Sequence, residues 1–177
     1  MASEEKRRFF KFFLSRGDPH KQIKEMKEVR GGRSQLIPKG RSGMDFIIWR
    51  PSYNLGDPKI DNQHRQLVDL VNCLCAEICR SCSKNIVEKI LVQLVHYAEE
   101  HFRDEEELMA HIGYPELQEH TEEHVRLVEE VFEFKKKYDD GLVSKEDLVN
   151  FLKIWLIDHI IGSDLKIKHW LERKKAA

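Results

Sequence analysis

Long apolar runs are missing from this 177-residue chain. No stretch approaches the roughly 18 residues that a membrane-spanning helix needs, which argues against an integral membrane protein. Cysteine is scarce and local. Cys73, Cys75, Cys79 and Cys82 crowd into CLCAEICRSC, and the rest of the chain holds no partner for them. That pattern excludes the dispersed disulfide framework of a secreted domain. A twin-arginine start at Arg7 and Arg8 is followed by FFKFFL and then SRGDP, so the apolar stretch of an export signal is lacking. The expected compartment is the cytoplasm, with reduced thiols. There is no Gly-rich phosphate loop, nucleophile elbow, zinc-protease motif, internal repeat or low-complexity tract.

Net charge is nearly absent too, at −1, but that value hides an asymmetry. Residues 1–43 hold 12 Lys/Arg against 5 Asp/Glu, whereas residues 44–177 hold 18 against 26. A basic N-terminal extension, ending in the linker GGRSQLIPKGRSG, is therefore expected to precede an acidic folded body over residues 44–177. The extension reads first as a solvated tail or a connection to something else. A helix docking on a membrane surface or a protein partner ranks second, and nucleic-acid contact ranks last.

What is present is helical periodicity. After an extended arm over 44–59, helical patterns run from about Asp61 to Cys82, Asn85 to Ala110, Glu116 to Tyr138 and Ser144 to Leu171. Asp61 is the expected N-cap of the first, and Ser144 with Asp147 forms a capping box on the last. Short connections make neighbours antiparallel, so the fold class is all-α, an up-down-up-down four-helix bundle.

A helix advances about 100° per residue, so its faces can be worked out. Leu67, Val68, Val71, Cys75, Ile78 and Cys82 share a stripe with His64. Val87, Ile90, Leu94, Ala98, Glu105 and Leu108 lie on the side of His101. His120 and His124 share a face with Leu127, Val131 and Phe134. His159 shares one with Leu148, Leu152, Trp155 and Leu156. Every apolar stripe thus carries histidine, whereas His96 lies on a charged face. Burying these imidazoles without partners would cost on the order of 1–3 kcal/mol each. Metal coordination removes that cost. His101 and Glu105, and His120 and His124, are i,i+4 pairs on adjacent turns. His159 and Asp164 are i,i+5, about 140° apart in a regular α-helix. A π-type turn would bring them together, and Gly162 between them would ease it.

The cysteines do not join this set. Cys82 is 18 residues from His64, about 27 Å along a helix axis. Cys75, Cys79 and Cys82 read as core packing and Cys73 as outward-facing, which leaves Cys73 or Cys82 as the exposed thiol. Asp104, Glu106 and Glu107 read as a solvated acidic face. His20, His111 and His169 read as having no metal role.

The chain resembles the hemerythrin family over roughly residues 46–170. The resemblance rests on Trp49-x3-Tyr53-x2-Gly56, ID-x-QH up to His64, HF-x2-EEE-LM from His101, GYP, His120-x3-His124 and WL-x2-HI-x3-D from Trp155 to Asp164. It implies a non-haem di-iron cofactor, oxo- or hydroxo-bridged. His64, His101, His120, His124 and His159 would be terminal ligands, with Glu105 and Asp164 bridging. With two octahedral irons, this donor set leaves one position open, where dioxygen binds. Leu67, Phe102, Trp155, Leu156 and Ile160 match the apolar pocket of the family. The chain departs from the pattern at Leu127, where a phenylalanine is common, and at Ile167, where a tyrosine is common. The expected function is reversible dioxygen binding by a carrier, store or sensor rather than an enzyme. The alternatives are a di-iron oxidoreductase acting on peroxide, nitric oxide or ferrous iron, and a signalling module that reports the iron state through its basic arm.

Overall fold

A computed structural model of the chain describes residues 46–79 and 83–176. Cys79 lies at the margin of the first segment and its side chain is not described. Cys82 and the basic extension lie outside the described residues. The elements are a 3-10 turn (Pro51–Tyr53), then α1 (Pro58–Cys79), α2 (Lys84–Ile112), α3 (Leu117–Asp139) and α4 (Lys145–His159). A π-helical segment (Ile160–Asp164) leads without a break into α5 (Leu165–Ala176). The last three form one rod, so the described residues make an all-helical four-helix bundle with no strand. No helix among them is long and apolar enough to cross a membrane.

The helix ends follow local chemistry. Asp57, not Asp61, caps α1: its Oδ1 accepts from the backbone N–H groups of Lys59 at 2.8 Å and Ile60 at 3.1 Å. Pro58 takes the first helical position, where a missing N–H costs nothing. Asp61 is buried one turn further in, and reaches back to accept from the N–H groups of Leu55 at 2.6 Å and Gly56 at 3.3 Å. It fastens the arm to the helix. Gly113 ends α2 in the left-handed region, with φ +62°, and Tyr114 N–H returns to Met109 O at 2.9 Å. The box at the start of α4 forms as the sequence predicts: Asp147 N–H donates to Ser144 Oγ at 3.0 Å, and Ser144 N–H donates to the Asp147 carboxylate at 2.9 Å.

The arm lies against α1. Ile47 N–H donates to Asn72 Oδ1 at 2.8 Å, and the Asn72 amide donates back to Ile47 O at 2.9 Å. Trp49 packs edge-on to Tyr53 and sits 6.1 Å from the His64 ring. Phe46, Ile47, Trp49 and Tyr53 pack against the main core, and Cys73, expected to face outward, is buried at 9% exposure and belongs to that core. Cys75, on the expected stripe, is buried as well.

The apolar interior is divided. A large cluster runs from Leu67 through Val87, Leu94, Phe102, Val131 and Leu152 to Ile160. A smaller one holds Leu55, Ile60, Met109, Tyr114 and Ile167. Five of the seven proposed ligands fall between the two in chain order: His64 between Ile60 and Leu67, Glu105 between Phe102 and Met109, His120 and His124 between Tyr114 and Val131, and Asp164 between Ile160 and Ile167, while His101 and His159 stand one residue before Phe102 and Ile160, at the edge of the large cluster. Apolar layers above and below keep water from a polar stratum that crosses all four rods.

Candidate metal centre

The stratum holds five imidazoles and two carboxylates, from His64, His101, Glu105, His120, His124, His159 and Asp164, each at most 5% exposed. Their donor atoms form two groups that share Glu105: Glu105 with His120, His124 and His159, and His64, His101, Glu105 and Asp164. Within each group the donor atoms lie within 4.8 Å of one another. Glu105 Oε2 is 3.3 Å from the Nε2 atoms of both His120 and His124, and 3.9 Å from those of His101 and His159. Asp164 also faces both groups, with Oδ2 at 3.1 Å from His64 and Oδ1 at 3.2 Å from His159 and 3.5 Å from His120. Each carboxylate thus stands between two sets of imidazoles.

The wide turn of the π segment makes this reach possible. It brings Asp164 over His159 despite the i,i+5 spacing. Gly162 is not what permits the turn: a Cβ built there meets nothing within 4 Å, and its φ is not positive. Closure of the i→i+5 ladder does the work, leaving Ile161 and Gly162 facing out and Ser163 and Asp164 facing in.

Whether a metal fits is answered by the donors. Nε2 of His64, His101, His124 and His159, Oε1 of Glu105 and both oxygens of Asp164 are buried with no hydrogen-bond partner among the described residues. Such orphans are rare in native interiors and point to a missing ion. Imidazole nitrogens together with carboxylate oxygens suit iron and its first-row neighbours. The donors therefore fit a pair of metal ions.

Electrostatics agree. Burial lowers the His101 pKa well below its ordinary value and neighbouring histidines push the same way, against Glu105, so its imidazole is neutral. Burial also opposes the charge on Glu105, but His120 and His124, each with Nε2 at 3.3 Å, and the nearby His101 and His159 hold its pKa well below the carboxylate range. His159 is the exception. Burial works against its cation, yet Asp164, Glu123 and Glu105 outweigh that and lift its pKa to about 9. A metal entering the site has to displace that proton.

The outer nitrogens show what the sequence did not. His124 Nδ1 sits 2.8 Å from Glu106 Oε1, and His159 Nδ1 sits 2.9 Å from Glu123 Oε1. Ser163 Oγ donates to the same Glu123 oxygen at 2.6 Å. Hydrogen bonds from His159 lead, and with Ser163 they outweigh burial to hold Glu123 at about 2. His101 Nδ1 lies 3.4 Å from Gln63 Oε1, while the Gln63 amide donates to Asp104 at 2.6 Å and Lys59 pairs with Asp104 at 3.0 Å. Asp104 and Glu106, expected on a solvated face, thus support proposed ligands, and of the three acids only Glu107 is exposed as expected. Each of these pairings crosses between helices, so spacing within one helix does not reveal it. Their one local trace is that Gln63, Glu106, Glu123 and Ser163 each adjoin a proposed ligand in the sequence.

The apolar residues expected around the open position are all buried: Leu67 1%, Phe102 6%, Trp155 6%, Leu156 2% and Ile160 0%. Phe102 stacks on His124, with ring centroids 4.0 Å apart at 11°. Trp155 Nε1–H donates to Leu127 O at 3.0 Å. Its polar atom is thereby satisfied by backbone.

The hemerythrin HHE cation binding domain matches residues 55–171. The chain belongs to the hemerythrin family. It is 31% identical over 121 residues to a bacteriohemerythrin of Stenotrophomonas maltophilia, covering 68% of this chain and 78% of that one. It is 34% identical over 125 residues to a bacteriohemerythrin of Clostridium acetobutylicum, covering 67% and 96%. Among solved structures, a wild-type hemerythrin crystal structure superposes with a TM-score of 0.62 at 27% identity, covering 72% of this chain and 98% of that one. Four-helix architecture, family and a buried His/Glu/Asp cluster therefore agree.

Proposed function

We propose that the chain binds dioxygen reversibly at a di-iron centre and acts as an oxygen carrier, store or sensor. The carrying observation is the buried set of five imidazoles and two carboxylates, disposed as two groups about Glu105 with their donor atoms unsatisfied. His120, His124 and His159 would hold one iron and His64 and His101 the other, with Glu105 and Asp164 spanning both. When bound, the iron pair supplies reversible electron transfer to dioxygen at an open coordination position. The protein's own part is orientation and dryness. Glu106, Glu123 and Gln63 aim the imidazoles. Leu67, Phe102, Trp155, Leu156 and Ile160 are buried and exclude water from the site. The nitrogen-rich donor set supports a carrier over an oxidase, because di-iron carboxylate proteins built for harder oxidation carry four glutamates and two histidines.

We read residues 44–177 as the folded domain and residues 1–43 as an extension whose positive charge suits a protein partner or membrane surface. We place the chain in the cytoplasm, where Cys73 and Cys75 remain thiols.

Anaerobic reconstitution with ferrous salt followed by cycles of oxygen addition and removal tests the reading. Expected is iron near two equivalents per chain and a visible spectrum that appears with oxygen and reverses on its removal. Irreversible oxidation with turnover of peroxide, nitric oxide or ferrous iron would transfer the chain to the enzyme class. Failure to retain iron would end both readings.

A further inference from the structure

The two halves of the centre share Glu105 and Asp164, so these carboxylates do little to tell them apart. Their outer supports do. In the three-histidine half, two imidazoles are backed by carboxylates: His124 by Glu106 at 2.8 Å and His159 by Glu123 at 2.9 Å. In the two-histidine half, His101 faces the neutral amide oxygen of Gln63 at 3.4 Å, and His64 Nδ1 has no hydrogen-bond partner among the described residues. The one acid behind Gln63 is Asp104, and its charge is matched by Lys59 at 3.0 Å. One half is therefore supported by two anions and the other by none in net.

The direction of Gln63 is itself fixed. Asp104 only accepts, so the Gln63 NH2 must point to it, at 2.6 Å. That leaves Oε1 for His101 and places the imidazole proton on Nδ1, with the Nε2 lone pair aimed inward. Carboxylate backing raises the basicity of a ligating imidazole. Loss of such a support typically costs 10–100-fold in metal affinity. An amide orients a ring without that added negative charge.

We propose that Glu106 and Glu123 are positioning residues that make the three-histidine half the tighter metal site, and that Gln63, locked by Asp104 and Lys59, orients the ligand of a deliberately weaker second half. The inference rests on the reading that the cluster holds two metal ions, but not on what they bind. It predicts stepwise loading: the first ion enters among His120, His124 and His159, and the second between His64 and His101.

The test is an anaerobic titration of the metal-free full-length chain with cobalt(II), followed by its visible d–d bands, and repeated with ferrous ion. Wild type is expected to bind two equivalents with distinct affinities. Glu106→Gln with Glu123→Gln should weaken the first equivalent 10–100-fold and leave the second within about threefold. Gln63→Leu should do the reverse, weakening the second and sparing the first. Both glutamates are partly exposed, at 33% and 28% for their side chains, so the amide variants should fold, and helical circular dichroism checks this. A role in packing alone would lower thermal stability without separating the equivalents. Variants that shift both equivalents equally, or a glutamate pair whose loss leaves the first unchanged, would overturn the assignment while sparing the di-metal reading. A wild-type chain that binds fewer than two ions would overturn both.

Discussion

Deleting one residue from the fourth rod should have opposite outcomes at two places seven residues apart. Ile161 and Ile154 are both exposed isoleucines, at 38% and 62%, on the same rod. Ile161 lies inside the π segment, where five residues span what four span in an α-helix. Removing it leaves His159 and the aspartate now at 164 at i,i+4, about 40° apart on a regular α-helix, and keeps the phase of the helix beyond. The cost is local repacking at a partly exposed position, about 1–2 kcal/mol. Removing Ile154 instead turns everything beyond it by about 100° relative to α1 through α3. Trp155, Leu156, Ile160 and Ile167, each at most 6% exposed, would leave the core together. At about 1.5–3 kcal/mol each, their loss amounts to roughly 6–12 kcal/mol. That is comparable with the whole stability of an ordinary domain, about 5–15 kcal/mol. The assay is thermal melting by circular dichroism, with iron per chain measured after anaerobic reconstitution. The variant lacking Ile161 should fold cooperatively and hold iron, whereas the one lacking Ile154 should do neither. If both lose iron and melt alike, the wide turn is not the device that aligns Asp164, and the reasoning fails.

Other outcomes follow from the same structure. Leu152→Ala, at a fully buried position, should lower unfolding free energy by about 2–5 kcal/mol in urea titrations. Gly113→Ala should cost about 1–2 kcal/mol because its φ is +62°, while Gly162→Ala, with open space around the new methyl, should be neutral or stabilise by up to about 1 kcal/mol; calorimetry that ranked them equally would contradict this. Ser144→Ala should cost about 1 kcal/mol by removing the cap of α4. Hydrogen bonds from Ser144 depress the Asp147 pKa, so the contribution of the box is present above the unfolded aspartate pKa and is lost as pH falls through the lower folded value. The difference between Ser144→Ala and wild type should therefore shrink in acid and not in alkali, as melts across pH would show. Stripping the metal with a chelator should lower Tm, and restoring free ferrous ion to about 100 times its Kd should return about 2.7 kcal/mol per site.

The amino-acid order by itself settled the bundle and the candidate donors. Period-3.6 stripes carry both the apolar residues and the histidines, and both signals are local to one helix. Even the i,i+5 mismatch at Asp164 was legible, because 100° per residue makes any other spacing an anomaly that needs a wide turn. Three features came only with the assembled structure. Asp57 rather than Asp61 caps α1, because a short loop lets Asp61 fold back on Leu55 and Gly56. Cys73 is buried in the main core although its angle on α1 reads as outward, because α1 is enclosed by neighbouring helices and the arm over more than one stripe. Asp104 and Glu106 support the histidines although their positions read as surface, and so do Gln63 and Glu123, to which no periodic pattern assigned a role. An acid at the margin of a bundle looks the same in sequence whether it meets water or the outer nitrogen of a neighbouring imidazole. Which of the two it meets depends on the rotation and height of another helix, and these are set by packing rather than by anything written in the helix that carries it.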